Sequence, residues 1–198
     1  MRILTIFLIS ILVFFSSSCQ NDKIKKFKNA KYRYKFLYSS ELVNIKDKNL
    51  SDGNSEFIRS VENSGTIIPS ESVDAALFNR NSYPPVYDVI SVSTVTKYIN
   101  INNIEKGKTE LEYMFSDQLE MNYTGVRLLR SEYQNFKIGK TYRLDYRFFH
   151  NNTECFSSII ILTNNPLFSN IITAISTMDR EYSVIEERDR IINSFKKY

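Results

Sequence analysis

His150, Glu154 and Cys155 are the residues nearest one another in the chain whose types could do chemistry together. An imidazole, a carboxylate and a thiol are metal donors, and a thiol near an imidazole is the start of a nucleophile–base pair. Neither reading completes itself. A metal site needs three or four ligands of settled geometry, and these three surround a turn. A catalytic cysteine needs a base that a third group orients, and a base five residues away across a hairpin does not meet that need. His150 is therefore read as a surface turn residue. Cys155 is read as a small apolar residue buried on a strand, where an unpaired thiol escapes oxidation. Asp145, Glu110, Glu112, Glu186, Glu187 and Asp189 are read as solvated charge faces, because lysine and arginine flank them at helical spacing. Nothing selects a carboxylate pair for hydrolysis. No catalytic residue, metal or cofactor is expected.

The counts across the chain point the same way. Among 198 residues there are one His, two Cys, five Gly and no Trp. Five scattered glycines leave no glycine-rich phosphate loop, and one His excludes a His-rich metal site. Two Cys exclude a disulfide scaffold or a zinc knuckle. Hydrophobic residues at 42% against charged residues at 24% describe a globular chain of one ordinary domain.

The first residues carry an address. Arg2 is followed by an apolar run of 13 residues from Ile3 to Phe15, interrupted by Thr5 and Ser10, and then by Ser16, Ser17, Ser18 and Cys19. A membrane span needs about 20 apolar residues, so this pattern reads as a secretory signal peptide over residues 1–18. Ser17-Ser18-Cys19 resembles the lipobox of bacterial lipoproteins, with Ser16 where that family most often has Leu. The resemblance implies cleavage before Cys19 and a lipid on its thiol and new amino terminus, palmitate being the type. Several acyl chains hold a protein on a membrane stably, where one does not. Gln20 in place of Asp implies the outer membrane, facing the periplasm. Residues 19–30 are read as a Lys-rich solvated tether, either drawn to anionic headgroups or a plain spacer. Without Arg2 the chain has 25 Lys+Arg against 22 Asp+Glu, too mild a balance for a nucleic-acid partner.

The elements follow from periodicity. Tyr32, Tyr34, Phe36 and Tyr38 alternate with Arg33 and Lys35 as a half-buried strand. Phe57, Ile58 and Val61 suit a short helix, and 75–78 a short strand. Tyr83-Pro84-Pro85 is a break, and 86–95, apolar on both faces, reads as a central strand. Residues 103–122 have helical spacing at Leu111, Met114, Phe115 and Leu119. Strands are expected over 126–129, 131–138 with a turn at Gly139–Lys140, 142–149, 155–162 and 171–176. The last element is a helix with a capping box at Ser183-x-x-Glu186. Its stripe is Val184, Ile185, Ile191, Ile192 and Phe195, and Lys196 and Lys197 complement its dipole.

This order, with the Tyr-x-Tyr-x-Phe strand and the ending Ile191-Ile192-Asn193-Ser194-Phe195, resembles the PsbP superfamily (PsbP/DcrB). The resemblance spans about Lys31 to Tyr198. It implies an α/β single domain over 31–198, an antiparallel sheet flanked by helices on both faces (an α/β/α sandwich). It implies no catalysis, only accessory or binding roles. Two functions are carried forward. One is a non-enzymatic, lipid-anchored cell-envelope binding or accessory module. The other is a carrier of a small apolar or lipid ligand in a cleft lined by Tyr32, Tyr34, Tyr142 and Tyr146, rings that otherwise fill the core. The anchor has a direct test. A Cys19→Ala variant loses acyl labelling and leaves the membrane fraction; full retention on the membrane would refute the lipoprotein reading.

Overall fold

The structure is a computed structural model and describes residues 24–47, 52–63, 73–96, 99, 101, 104–165 and 167–198. The leader and Cys19 lie outside the described residues. Seven strands form one sheet with every neighbouring pair antiparallel. In chain order they are β3 (Leu42–Asn44), β4 (Ala75–Asn79), β5 (Val89–Val95), β6 (Thr124–Phe136), β7 (Gly139–His150), β8 (Thr153–Asn165) and β9 (Phe168–Thr177). Their spatial order is β3-β4-β5-β9-β8-β7-β6. Three helices cover it: α1 (Asp52–Asn63), α2 (Ile104–Glu120) and α3 (Glu181–Ser194). A second sheet of three strands has β2 (Tyr34–Ser39) between β1 (Ile24–Asn29) and β10 (Lys196–Lys197).

Alternation along the strands decides which helix goes where. Tyr142, Leu144, Tyr146 and Phe148 pack with Ile159 and Ile161 against Phe115 and Leu119 of α2. Farther along the same face, Ala76, Phe78 and Val89 meet Val61 of α1. The opposite set, Leu77, Ile90, Val92, Ile160 and Ile172, packs on Val184, Ile191, Ile192 and Phe195 of α3 and on the rings of β2. Helices therefore lie on both faces of one antiparallel sheet, as expected. No helix among the described residues is long and apolar enough to cross a membrane.

Turn chemistry sets the register. Asn151 and Asn152 sit at φ 49° and 63° and close β7 onto β8 in two residues, a conformation Asn tolerates. Gly125, at φ 62°, falls where the β6–β7 register shifts, and an added Cβ would stand 3.1 Å from the Phe149 ring. Only Gly fits that bulge.

Several expectations are corrected. The segment 19–30 is not all tether: Ile24–Asn29 pairs residue for residue with β2. Its two apolar residues, Ile24 and Phe27, are three apart, so no period of two revealed it. Strand β2 starts at Tyr34, not Tyr32, because Arg33 has φ 53°. Residues 126–129 and 131–138 are one bulged strand. Its turn is Lys137–Ile138, since Phe136 pairs with Gly139. Helix α3 has no side-chain cap; the Ser183 hydroxyl donates to Arg180 O at 3.0 Å instead. Lys196 and Lys197 leave the helix and pair with Lys35 and Tyr34. The four tyrosines line no shared cleft. Tyr32 and Tyr34 belong with the small sheet and Tyr142 and Tyr146 with the face under α2, and all but Tyr32 are buried.

The largest correction concerns Asp145. It is 3% exposed, on the face of β7 that α3 covers. Arg143 grips it with two bonds, Nε to Oδ1 at 2.8 Å and Nη2 to Oδ2 at 2.7 Å. The Ser158 hydroxyl donates to Oδ1 at 2.6 Å and receives the guanidinium of Arg188, which is wholly buried on α3. Arg188 also donates to Asp189 through Nε at 2.8 Å. Burial pulls the Arg188 guanidinium below its usual value, with Asp189 opposing it. Removing one partner of a buried ion pair leaves an uncompensated charge, at about 3–5 kcal/mol. Asp145→Ala is expected to lose about that much in denaturant unfolding. Arg188→Met loses less, because Asp145 keeps the two-bond grip of Arg143. Equal small losses would show that the network carries little.

Candidate functional site

The sequence-derived candidates do not assemble. In the β7–β8 register His150 faces Thr153 and Phe148 faces Cys155, while Glu154 stands opposite Phe149. Glu154 is thus on the other face of the sheet and pairs with Arg147. His150 is edge-on to Tyr123, with ring centres 5.5 Å apart, and its Nε2 meets the Asn151 amide. Cys155 is fully buried and its Sγ donates to Thr153 O at 3.4 Å. Burial pushes the thiol up to about 11, and only the His150 backbone and the Arg180 charge act against it. This is the opposite of an activated thiolate. Among the described residues no group of three His, Cys, Asp or Glu stands close enough to hold a metal ion.

A recess of about 190 Å³ lies elsewhere, between the first half of α3 and the edge formed by β3, β4 and β5. Its apolar wall is Leu42, Leu77, Ile90 and Val184, and its polar wall includes Ser39, Glu41, Asn79, Asp88, Glu186, Glu187 and Arg190. A 3₁₀ turn (Met178–Arg180) feeds α3 and aims Arg180 back at the start of β5. Arg180 Nε donates to Asp88 Oδ1 at 2.9 Å, and Nη2 donates to Val86 O. The guanidinium lies 4.4 Å from the centre of the Tyr83 ring. Asp88 is 2% exposed, and its Oδ2 has no hydrogen-bond partner among the described residues. Burial raises the Asp88 carboxyl above the usual carboxylate range, and Arg180 only partly reverses this.

The rim adds charge. Glu187 accepts the Ser39 N–H at 2.7 Å through Oε1 and meets Arg190 Nε at 3.3 Å through Oε2. Glu41 and Glu186 are exposed. Four carboxylates meet two guanidinium groups here, Arg180 on Asp88 and Arg190 on Glu187. The cleft is net negative; at its wall the Asn79 side chain also acts on the Asp88 carboxyl, and Arg180 Nη1 is a buried donor without a partner among the described residues. Such a recess is suited to an ammonium or guanidinium group, whose N–H donors match carboxylate acceptors. Of the two serines at its rim, the Ser183 hydroxyl donates to Arg180 O and the Ser39 hydroxyl accepts the Glu41 N–H.

Sequence reading missed Asp88, Glu41 and Arg180. The signal for Asp88 was present: it alternates with Val86, Ile90 and Val92, a charge among apolar residues on one face of a strand. Glu186 and Glu187 were seen, but as parts of a solvated face.

No family model matches the chain, and no curated protein matches it in sequence. Solved structures do match in fold. The cyanobacterial PsbP of Synechocystis superposes with a TM-score of 0.55 at 16% identity, over 92% of this chain and 96% of its own. The Ran-binding protein Mog1p of Saccharomyces cerevisiae gives 0.52 at 9% identity, over 89% and 96%. LpqN of Mycobacterium tuberculosis, involved in cell envelope biogenesis, gives 0.51 at 8%, over 91% and 95%. The fold is PsbP-like. The buried thiol has a simple check. In a Cys19→Ser chain, a thiol reagent at pH 8 leaves folded Cys155 unmodified, and denaturant releases it. Rapid labelling of the folded protein would contradict its burial.

Proposed function

We propose that this protein is a non-enzymatic, lipid-anchored binding module of the bacterial cell envelope. Cys19 carries the lipid, and the net-negative cleft beside α3 receives a basic side chain of a partner protein. One observation carries the reading: four carboxylates stand against two guanidinium groups around a recess that also has an apolar wall. An incoming guanidinium or ammonium group offsets the surplus of carboxylates at the rim and donates to their oxygens. The apolar wall takes the stem of such a side chain while the acidic wall takes its head.

The fold supports a binding role by analogy, which is weaker than the cleft itself. Mog1p binds Ran, and LpqN is involved in cell envelope biogenesis. An envelope location agrees with the leader read from residues 1–18, and Gln20 supports the outer membrane. The carrier reading has lost its cleft, since three of its four tyrosines are buried and they divide between two clusters.

The test uses intact cells. A photocrosslinking residue at Ser183, on the cleft wall, captures a partner through a Lys- or Arg-bearing segment. Charge reversal at the exposed rim, Glu41→Lys with Glu186→Lys, is expected to reduce that capture at least tenfold while leaving thermal unfolding unchanged. Capture that survives the reversal would refute the cleft as the binding site.

A further inference from the structure

We propose that the outer face of the three-stranded sheet is a docking surface for an anionic lipid bilayer. The proposal deepens the lipid-anchor reading, because it says how the anchored domain lies on its membrane.

The face is built by pairing. Across β1 and β2, Lys26 stands opposite Leu37, Lys28 opposite Lys35 and Ile24 opposite Ser39; across β10, Lys196 stands opposite Lys35. Residues opposite one another share a face. Phe27, Tyr34, Phe36 and Tyr38 turn inward to the core. The other side therefore presents Lys26, Lys28, Lys35 and Lys196 together with Ile24 and Leu37, which are 55% and 39% exposed. Tyr198 lies over it, its ring centre 5.5 Å from Lys28 Nζ and 5.6 Å from Lys35 Nζ. Lys31 and Arg33, both exposed, extend the charge through the turn between β1 and β2. Ion pairs found among the described residues involve none of these cations.

Charge and composition select the occupant. Lysines around exposed aliphatic side chains and a tyrosine suit a headgroup layer over an acyl boundary. A protein partner with a flat acidic face would want Arg forks in place of point-charge lysines. Placement agrees: Ile24 is five residues after Cys19, so the face lies within about 18 Å of chain from the proposed lipid. Each lysine near an anionic surface raises partitioning roughly fivefold, and salt removes the effect beyond a Debye length. What reads in sequence as a Lys-rich tether is thus the edge of a folded cationic face.

The test removes the lipid, so that failure of the face and failure of the anchor are separate results. The chain from residue 19 with Cys19→Ser, which keeps every described residue, is sedimented with phosphatidylcholine vesicles with and without phosphatidylglycerol. The expected result is binding only to the phosphatidylglycerol vesicles, falling steeply as salt rises. Lys26→Glu, Lys28→Glu and Lys35→Glu together reduce it more than tenfold, and Arg59→Glu on α1 leaves it unchanged. The milder pair Lys26→Gln and Lys28→Gln, both at exposed positions, gives a several-fold loss and covers any failure of the triple variant to fold. Absent binding, equal binding to neutral vesicles, or an unchanged reduced-charge variant would overturn the docking face, whatever the fate of Cys19→Ala. So would a preference for a soluble polyanion over the vesicles.

Discussion

A carboxylate buried between a sheet and a helix is the constraint on which the rest of the molecule depends. Asp145 is held by Arg143 on its own strand and linked through Ser158 to Arg188 on α3. An apolar helix face can slide along a sheet with modest loss, because hydrophobic burial has no direction. A buried guanidinium cannot, because each N–H must meet its acceptor. The network therefore fixes where α3 sits. That position sets one wall of the acidic cleft at Val184, Glu186 and Glu187. It also sets Phe195, whose ring stacks on Tyr34 at 4.7 Å. The chain then runs into β10 and completes the small sheet. Cleft and cationic face thus hang from opposite ends of one clamped helix.

A second polar network ties the small sheet to the large one. Asp74 accepts from the Asn29 amide at 2.8 Å, the Tyr34 hydroxyl at 2.9 Å and the Thr94 hydroxyl at 2.5 Å. The Asn170 amide donates to Thr94 at 2.9 Å. Burial, then the Asp74 charge, raises the Tyr34 hydroxyl above the usual phenol range, so it stays a donor at any physiological pH. Around this lie the rings: Phe27 on Phe36 at 4.8 Å, and Phe36 near Phe195 at 6.0 Å. Each such pair is worth about 0.5–1.5 kcal/mol beyond the area it buries. β1 is accordingly part of the fold, although half of its residues are lysine.

The layer architecture was legible because its signals are local. Alternation in 142–149 and 155–162, the Asn-Asn turn and the stripe of α3 each declare an element without knowledge of its partner. What stayed hidden was what each face meets. Arg143, Asp145 and Arg147 look like a solvent face until α3 is laid over the first two. Arg188 stands four residues after Val184 and three before Ile191, a stripe position that its charge disguised. Asp88 broke the apolar face of its strand and was a site residue in plain view. β1 carries no period of two, and its place is set by β2, so no reading of its own residues could find it.

The central claim is that the Asp145–Ser158–Arg188 network clamps α3 to the sheet. Native-state hydrogen exchange of the α3 amides tests it most directly. The clamped helix is predicted to open only with β7 and β8, so its amides share their exchange free energy in the wild type. In Ser158→Ala the same amides are predicted to exchange ahead of the sheet. An α3 that opens well before β7 and β8 in the wild type, with Ser158→Ala making no difference, would contradict the account.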